Sequence, residues 1–310
     1  MPGYDYELLN VFALADDPFS GNPLAVVRDA DGLDAATCQA IARQFNLSET
    51  TFVYAAPPPV AAPLDAGHSD AAGPDATIGP DATMGPDAVV RVCTPSVELP
   101  FAGHPTLGTA YVVGRDRGTD RVTLRMPAGD IPVVGVGDHW TLTANAASIE
   151  QSTCTATDLA DAIGLSPSAV AGPARWVDSG LRQLLLQLQS PADVRAARPD
   201  PAGVLRQAMT PSGEALLYVW AWSGPDTVEA RLFFSQDTAI VEDPATGSAA
   251  ANLGGLLAAE GLRDRRITIV QGSAVQRPSQ LVVEVSTTGQ VRVGGLVRRV
   301  GAGRLELPGH

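Results

Sequence analysis

The chain has 310 residues, with 21 basic and 34 acidic side chains, a net charge of −13 and a pI near 4.6. That balance excludes the basic surface that a nucleic-acid partner would need. All 21 basic residues are arginine, which also excludes a Schiff-base lysine and a P-loop lysine. Hydrophobic residues make up 45% of the chain, enough for sizeable cores in about two domains. No apolar run approaches the ~20 residues of a membrane span.

The opening MPGYDYELLN has neither a basic start nor an apolar stretch. No signal peptide is expected, and the default location is cytoplasmic. Residues 6–14 read as a strand, 16–23 as a turn and 24–27 as a second strand. Asp34 can cap a helix running to about Phe45, with Cys38, Ile41, Ala42 and Phe45 on one face. Residues 50–55 are apolar and β-branched, hence a strand. Residues 57–88 are rich in Pro, Ala, Gly and Asp and repeat Gly-Pro-Asp-Ala three times. With almost nothing to bury, this stretch reads as a flexible surface insertion. Residues 89–93 resume the sheet. A helix follows from Pro105 to about Gly114, with strands near 121–126, 131–136 and 140–143.

The second half repeats this grammar. A short helix is expected near 158–164, then strands near 175–178, 182–189, 214–222 and 230–234. A helix over about 248–260 precedes strands near 267–271, 280–286, 291–299 and 303–307. Many strands with one strong helix per half indicate α+β, because the helices are too few for a doubly wound parallel sheet.

Two short glycine-bearing loops carry the chemistry. One is Phe101-Ala102-Gly103-His104-Pro105-Thr106-Leu107-Gly108. The other is Glu242-Asp243-Pro244-Ala245-Thr246-Gly247-Ser248-Ala249. Each places glycine and a polar residue ahead of a small-residue helix, whose unpaired N–H groups and partial positive charge attract anions. Gly103, Gly247 and Ser248 are therefore candidate substrate-binding residues; Ser248 reads equally well as a helix cap. His104, Asp243 and Glu49, at a helix-to-strand junction, are candidate proton-transfer groups. Glu98 is a rival acid and reads as structural. The three cysteines, Cys38, Cys93 and Cys154, suggest reduced thiols. His68, His104, His139 and His310 show no metal-ligand spacing, so no metal is expected. Gly-x-Ser-x-Gly is absent, and Gly294-Gly295 sits inside a strand pattern with no helix after it. The missing lysine, with 24 of the 34 acids being Asp, fits either a GC-rich genome or a salty cytosol.

Four stretches together resemble the PhzF-like isomerase family of phenazine biosynthesis. They are Val11-Phe12-Ala13 through Gly21-Asn22-Pro23-Leu24-Ala25-Val26, then Leu47-Ser48-Glu49-Thr50-Thr51-Phe52-Val53. Thr94-Pro95 through Glu98-Leu99-Pro100-Phe101-Ala102-Gly103-His104-Pro105 follows, and finally the Glu242–Ala250 loop. Gln271-Gly272 with Arg277-Pro278-Ser279 is similar to the family's late segment. The resemblance implies an α+β, diaminopimelate epimerase-like fold of two pseudo-symmetric domains, each a rolled, mostly antiparallel sheet around a central helix, with the site between them. Their expected bounds are 1–144, carrying the 57–88 insertion and completed by 297–310, and 145–296.

In epimerases and racemases of this fold a cysteine in each loop moves the proton, and neither loop here contains one. The resemblance instead gives the proton to Glu49, with His104 and Asp243 as partners and without metal or cofactor. The implied function is isomerisation of a small anionic carboxylate, with trans-2,3-dihydro-3-hydroxyanthranilate as the reaction that names the family. The family's frequent dimerisation implies a homodimer, and no membrane or nucleic-acid partner is expected. Two other readings stay open: a non-catalytic carboxylate-binding protein, and an epimerase that uses Cys93.

Overall fold

A computed structural model describes residues 3–56, 85–236 and 239–307. Within the first half, strand Gly3–Val11 pairs antiparallel with Asn22–Val27. The latter runs parallel to Glu49–Ala55, with helix Ala35–Phe45 as the crossover. Ala88–Cys93 is antiparallel to Glu49–Ala55 and parallel to Arg121–Met126, and helix Gly103–Arg117 bridges that parallel pair. Gly129–Val136 and His139–Thr143 continue as a meander. The long strand Val291–Glu306 then closes the barrel, pairing with His139–Thr143 at its start and with Gly3–Val11 along the rest.

Inside this barrel Leu107, Ala110 and Val112 of the helix pack against Leu9, Leu24, Val26, Val90 and Val92. The helix is buried nearly all round, which is why its apolar residues show no single face. Helix Ala35–Phe45 lies outside, where Cys38, Ile41 and Ala42 meet Val27, Phe52 and Cys93. Asp34 caps it as expected, accepting from the Thr37 N–H at 2.8 Å.

The same arrangement recurs in the second half. Arg175–Asp178, Arg182–Gln187, Leu216–Gly224 and Thr227–Gln236 form the sheet, extended by Arg265–Gln271 and Ser279–Val285. Thr227–Gln236 and Arg265–Gln271 run parallel, again bridged by a central helix, Gly247–Ala259. Leu185, Tyr218 and Leu232 face this helix. Leu184, Leu186, Leu217 and Val219 point the other way, under an outer layer that includes Leu159, Val194 and Val204. Strand Arg182–Gln187 is thus covered on both faces, which explains its unbroken Leu184-Leu185-Leu186 run.

The fold is α+β, with a rolled, mostly antiparallel sheet around a central helix in each half. Several details differ from expectation. Helices Pro191–Ala196 and Pro201–Gln207 and strands Ser148–Gln151 and Ala239–Asp243 were not foreseen, because none is long enough to show a period. The first strand stops at Val11 because Phe12 takes a left-handed conformation (φ 63°). The segments expected at 291–299 and 303–307 are one strand; Leu8 pairs with Gly301 and Leu9 with Arg299, leaving Val300 as a bulge that the pattern read as a break. The 57–88 insertion lies outside the described residues except at its end. There Asp87 accepts from the Thr123 N–H at 2.8 Å and Ala88 is a buried residue that opens the strand, so the stretch read as an insertion ends in the sheet at Ala88.

Gly254 shows how closely the second helix sits. A Cβ there would lie 2.7 Å from both Val283 Cγ1 and Val291 Cγ1, on stiff β-branched side chains. Gly254→Ala is therefore expected to destabilise by about 1–3 kcal/mol despite the better helix propensity of alanine. Urea denaturation reads this directly, and a neutral or stabilising result would contradict the close packing.

Candidate active site

The two central helices differ from the others at their N-termini. Asp34, Thr155, Ser190 and Asp200 cap the other four α-helices of the described residues with side-chain hydrogen bonds. Helices Gly103–Arg117 and Gly247–Ala259 have no side-chain cap bond, although Thr246 holds the cap position of the second. Their first-turn N–H groups are left for another acceptor. The starts also meet. A Cβ on Gly103 would lie 3.5 Å from Gly247 Cα, and one on Gly247 would lie 3.4 Å from Phe12 Cζ. The two backbones are in van der Waals reach of each other here, with the Phe12 ring packed against the junction.

Glu49, first residue of its strand, and His104, second residue of its helix, converge at this point. Glu49 Oε2 lies 3.5 Å from His104 Nε2, with the two side chains 16% and 6% exposed. Both atoms are buried and neither has a hydrogen-bond partner. Burial pushes the Glu49 carboxyl up to about 7, with the neighbouring Ser48 hydroxyl as the smaller, opposing influence. Burial pushes His104 down to about 4, against the charge of Asp243 and a hydrogen bond to the Pro23 carbonyl. Since Nε2 is unpartnered, that bond uses Nδ1, and the neutral ring turns a bare lone pair towards Glu49.

Asp243, last residue of strand Ala239–Asp243, completes the cluster. Burial raises it to about 6, and the nearby Glu49 charge adds to the rise. His104, Thr246 and Asn22 act against it. Asn22 Nδ2 donates to Asp243 Oδ1 and to the Ala245 carbonyl, both at 2.9 Å, and the Asn22 oxygen accepts from Ser48 Oγ at 3.0 Å. Thr246 Oγ1 donates to Asp243 Oδ2 at 2.5 Å while accepting from Gln271 Nε2 at 3.0 Å. Gln271 also donates to the Asp243 carbonyl at 2.9 Å. Asp243 is thus gripped through both oxygens, and Thr246, not Asp243, sits at the helix cap position.

Among the residues singled out from the sequence, Glu49, His104, Asp243, Gly103, Gly247 and Ser248 lie around this junction. Ser248 does not cap its helix; it accepts a hydrogen bond from Gln183 at 3.1 Å. Cys93 lies elsewhere, 1% exposed in the layer with Cys38 and Phe52, its thiol raised to about 12 chiefly by burial. A thiol that reluctant to ionise, facing the core, is a poor proton carrier. Glu98 pairs with Arg91 at 2.8 Å on the surface. Sequence reasoning missed Asn22, Thr246, Gln271 and Gln183 as supports. The legible signal was Asn252, a polar residue inside the apolar second helix and 0% exposed.

Two helix starts without side-chain caps thus stand beside a buried acid–imidazole pair in an epimerase-like α+β fold. The phenazine biosynthesis-like protein family matches residues 11–300. The chain belongs to that family. It is 37% identical to an uncharacterized isomerase of Pasteurella multocida (strain Pm70), over 98% of this chain and 95% of that protein. It is 34% identical to a trans-2,3-dihydro-3-hydroxyanthranilate isomerase of Pseudomonas chlororaphis, over 89% of this chain and 88% of the other. A solved structure of a predicted epimerase from Pseudomonas aeruginosa superposes with a TM-score of 0.73 at 29% identity, covering 98% of this chain and all of that one. No helix among the described residues is long and apolar enough to cross a membrane.

Proposed function

We propose that this isomerase moves a proton between two carbons of a small carboxylate, without a cofactor, using Glu49 as general base and then as general acid. The observation that carries this reading is the unpartnered pair of Glu49 Oε2 and His104 Nε2, 3.5 Å apart in a buried setting. With a folded-state pKa of about 7, Glu49 is divided between its two forms at neutral pH and can both take and return a proton. His104, neutral and fixed through Pro23, accepts from the protonated carboxyl and holds it in place. Asp243 faces the amine or hydroxyl of the substrate, and the two helix starts hold the carboxylate and the negative charge that develops beside it.

The relatives named trans-2,3-dihydro-3-hydroxyanthranilate isomerase, at 32–34% identity, support that compound as the first substrate to test. Incubated with it in deuterated water, the enzyme is expected to release the isomer with deuterium at the new C–H position. Absence of turnover and of exchange, with this and with other small carboxylates, would leave a binding protein. The pH profile tests Glu49 separately. The carboxylate must be ionised to start, so kcat/KM is expected to fall about tenfold per pH unit below about 7. A flat profile between pH 5 and 8 would remove Glu49 from the base role.

A further inference from the structure

Behind the second helix start lies a chain of buried amides whose direction is set by the backbone. Asn252 is one helical turn beyond Ser248, and Asn252 and Gln183 are both 0% exposed. Asn252 Oδ1 accepts from the Ser179 N–H at 2.8 Å and from Ser179 Oγ at 2.7 Å. Its Nδ2 donates to the Leu181 carbonyl and to Gln183 Oε1, both at 2.8 Å. Gln183 Nε2 then donates to Ser248 Oγ at 3.1 Å.

None of these amides can be turned over. The Ser179 N–H only donates and the Leu181 carbonyl only accepts, so they orient Asn252. The Asn252 amino group then requires the Gln183 oxygen, which leaves the Gln183 amino group for Ser248. Ser248 Oγ is therefore an acceptor towards the interior, and its own proton is left over. No acceptor among the described residues takes that proton. Ser248 is only half-buried, at the helix start that abuts Gly103 and the His104 N–H.

We propose that Gln183 and Asn252 are positioning residues that make Ser248 a one-way hydrogen-bond donor into the cleft, matched to the carboxylate of the substrate. A carboxylate oxygen only accepts, so it pairs with a hydroxyl that can only give. This deepens the function proposed above and rests on its seating of the substrate carboxylate at the helix starts.

The test reads binding rather than turnover. Anthranilate and its neutral amide, anthranilamide, are the probes, with affinities measured by calorimetry. The native protein is expected to prefer anthranilate. Gln183→Glu offers Ser248 an acceptor in place of a donor, so the serine turns its proton inward and its lone pairs outward; the preference is expected to fall about tenfold or more. Gln183→Met, which adds no charge and protects against a misfolded Glu variant, is expected to cost several-fold. Both losses should vanish in a Ser248→Ala background, because there is no hydroxyl left to orient. An added charge or a loosened fold would act equally in either background. Equal losses in the two backgrounds, an unchanged preference, or no preference in the native protein would each overturn the proposal. Failure of the isomerase reading shows elsewhere, as deuterium exchange that survives Glu49→Gln, and leaves the anthranilate preference unmoved.

Discussion

Glu49→Gln is expected to lose about 10²- to 10⁴-fold in kcat and to stop deuterium incorporation, while making the protein more stable at pH 8. Both effects come from one fact. The carboxyl titrates near 4.5 in the unfolded chain and at about 7 in the folded one, because burial opposes its charge. Between those values the folded state binds more protons than the unfolded state. Stability from this group is therefore fully present below about pH 4.5 and lost as pH rises through 7. At pH 8 the native fold holds an ionised, buried carboxylate at a cost on the order of 3 kcal/mol. Glutamine removes that cost, and its amide can donate to the unpartnered His104 Nε2. The stability gain should grow from pH 4.5 to 7 and level off above, as measured by urea denaturation across pH. A stability loss at pH 8, or a difference independent of pH, would contradict the assignment. A gain in stability with loss of activity is the pattern of a site held against the preference of the fold.

The second large effect is expected at Arg231, which is 8% exposed. Its guanidinium donates to Glu242 Oε1 at 3.1 Å and Oε2 at 2.7 Å, and to the Val194 and Ala197 carbonyls at 3.1 and 2.7 Å. It also lies over the Phe233 ring, 4.7 Å from the centroid. Arg231→Met would leave a buried carboxylate unpaired and take the side-chain donor from the Val194 carbonyl, while Arg198 still donates to Ala197, so a loss of about 3–5 kcal/mol is expected. Adding Glu242→Met should recover most of it, because replacing both members of a buried pair with apolar groups is often neutral. Glu242 is the neighbour of Asp243, so the single variant should also lower kcat by disturbing the strand that presents Asp243. A loss below about 1 kcal/mol, or no recovery in the double variant, would show that water already reaches the pair.

Much of the architecture was legible because it rests on local rules. Asp34 announced a helix cap, alternation marked most strands, and the Gly103 and Gly247 loops marked the two central helix starts. The same rules fail where structure is short or bulged. Helices Pro191–Ala196 and Pro201–Gln207 are each under two turns, and Val300 interrupts a strand that the partner strand holds together. Ala88 ends the Gly-Pro-Asp-Ala repeat yet opens a strand, because its ladder partners Ala55 and Leu124, and not the composition before it, fix it there.

At the site, residue types could be read but their states could not. The sequence by itself determined that no lysine is present, that neither loop holds a cysteine, and that His104 and Asp243 accompany the two glycine-led helix starts. Those are matters of identity and spacing. Only the tertiary structure decided that Glu49 and His104 face each other without other partners, that Cys93 lies in the core, and that Ser248 accepts a hydrogen bond from Gln183. Burial and hydrogen-bond direction are properties of what surrounds a group, and here the surroundings come from distant parts of the chain: Asn22 for Asp243, Pro23 for His104 and Gln183 for Ser248.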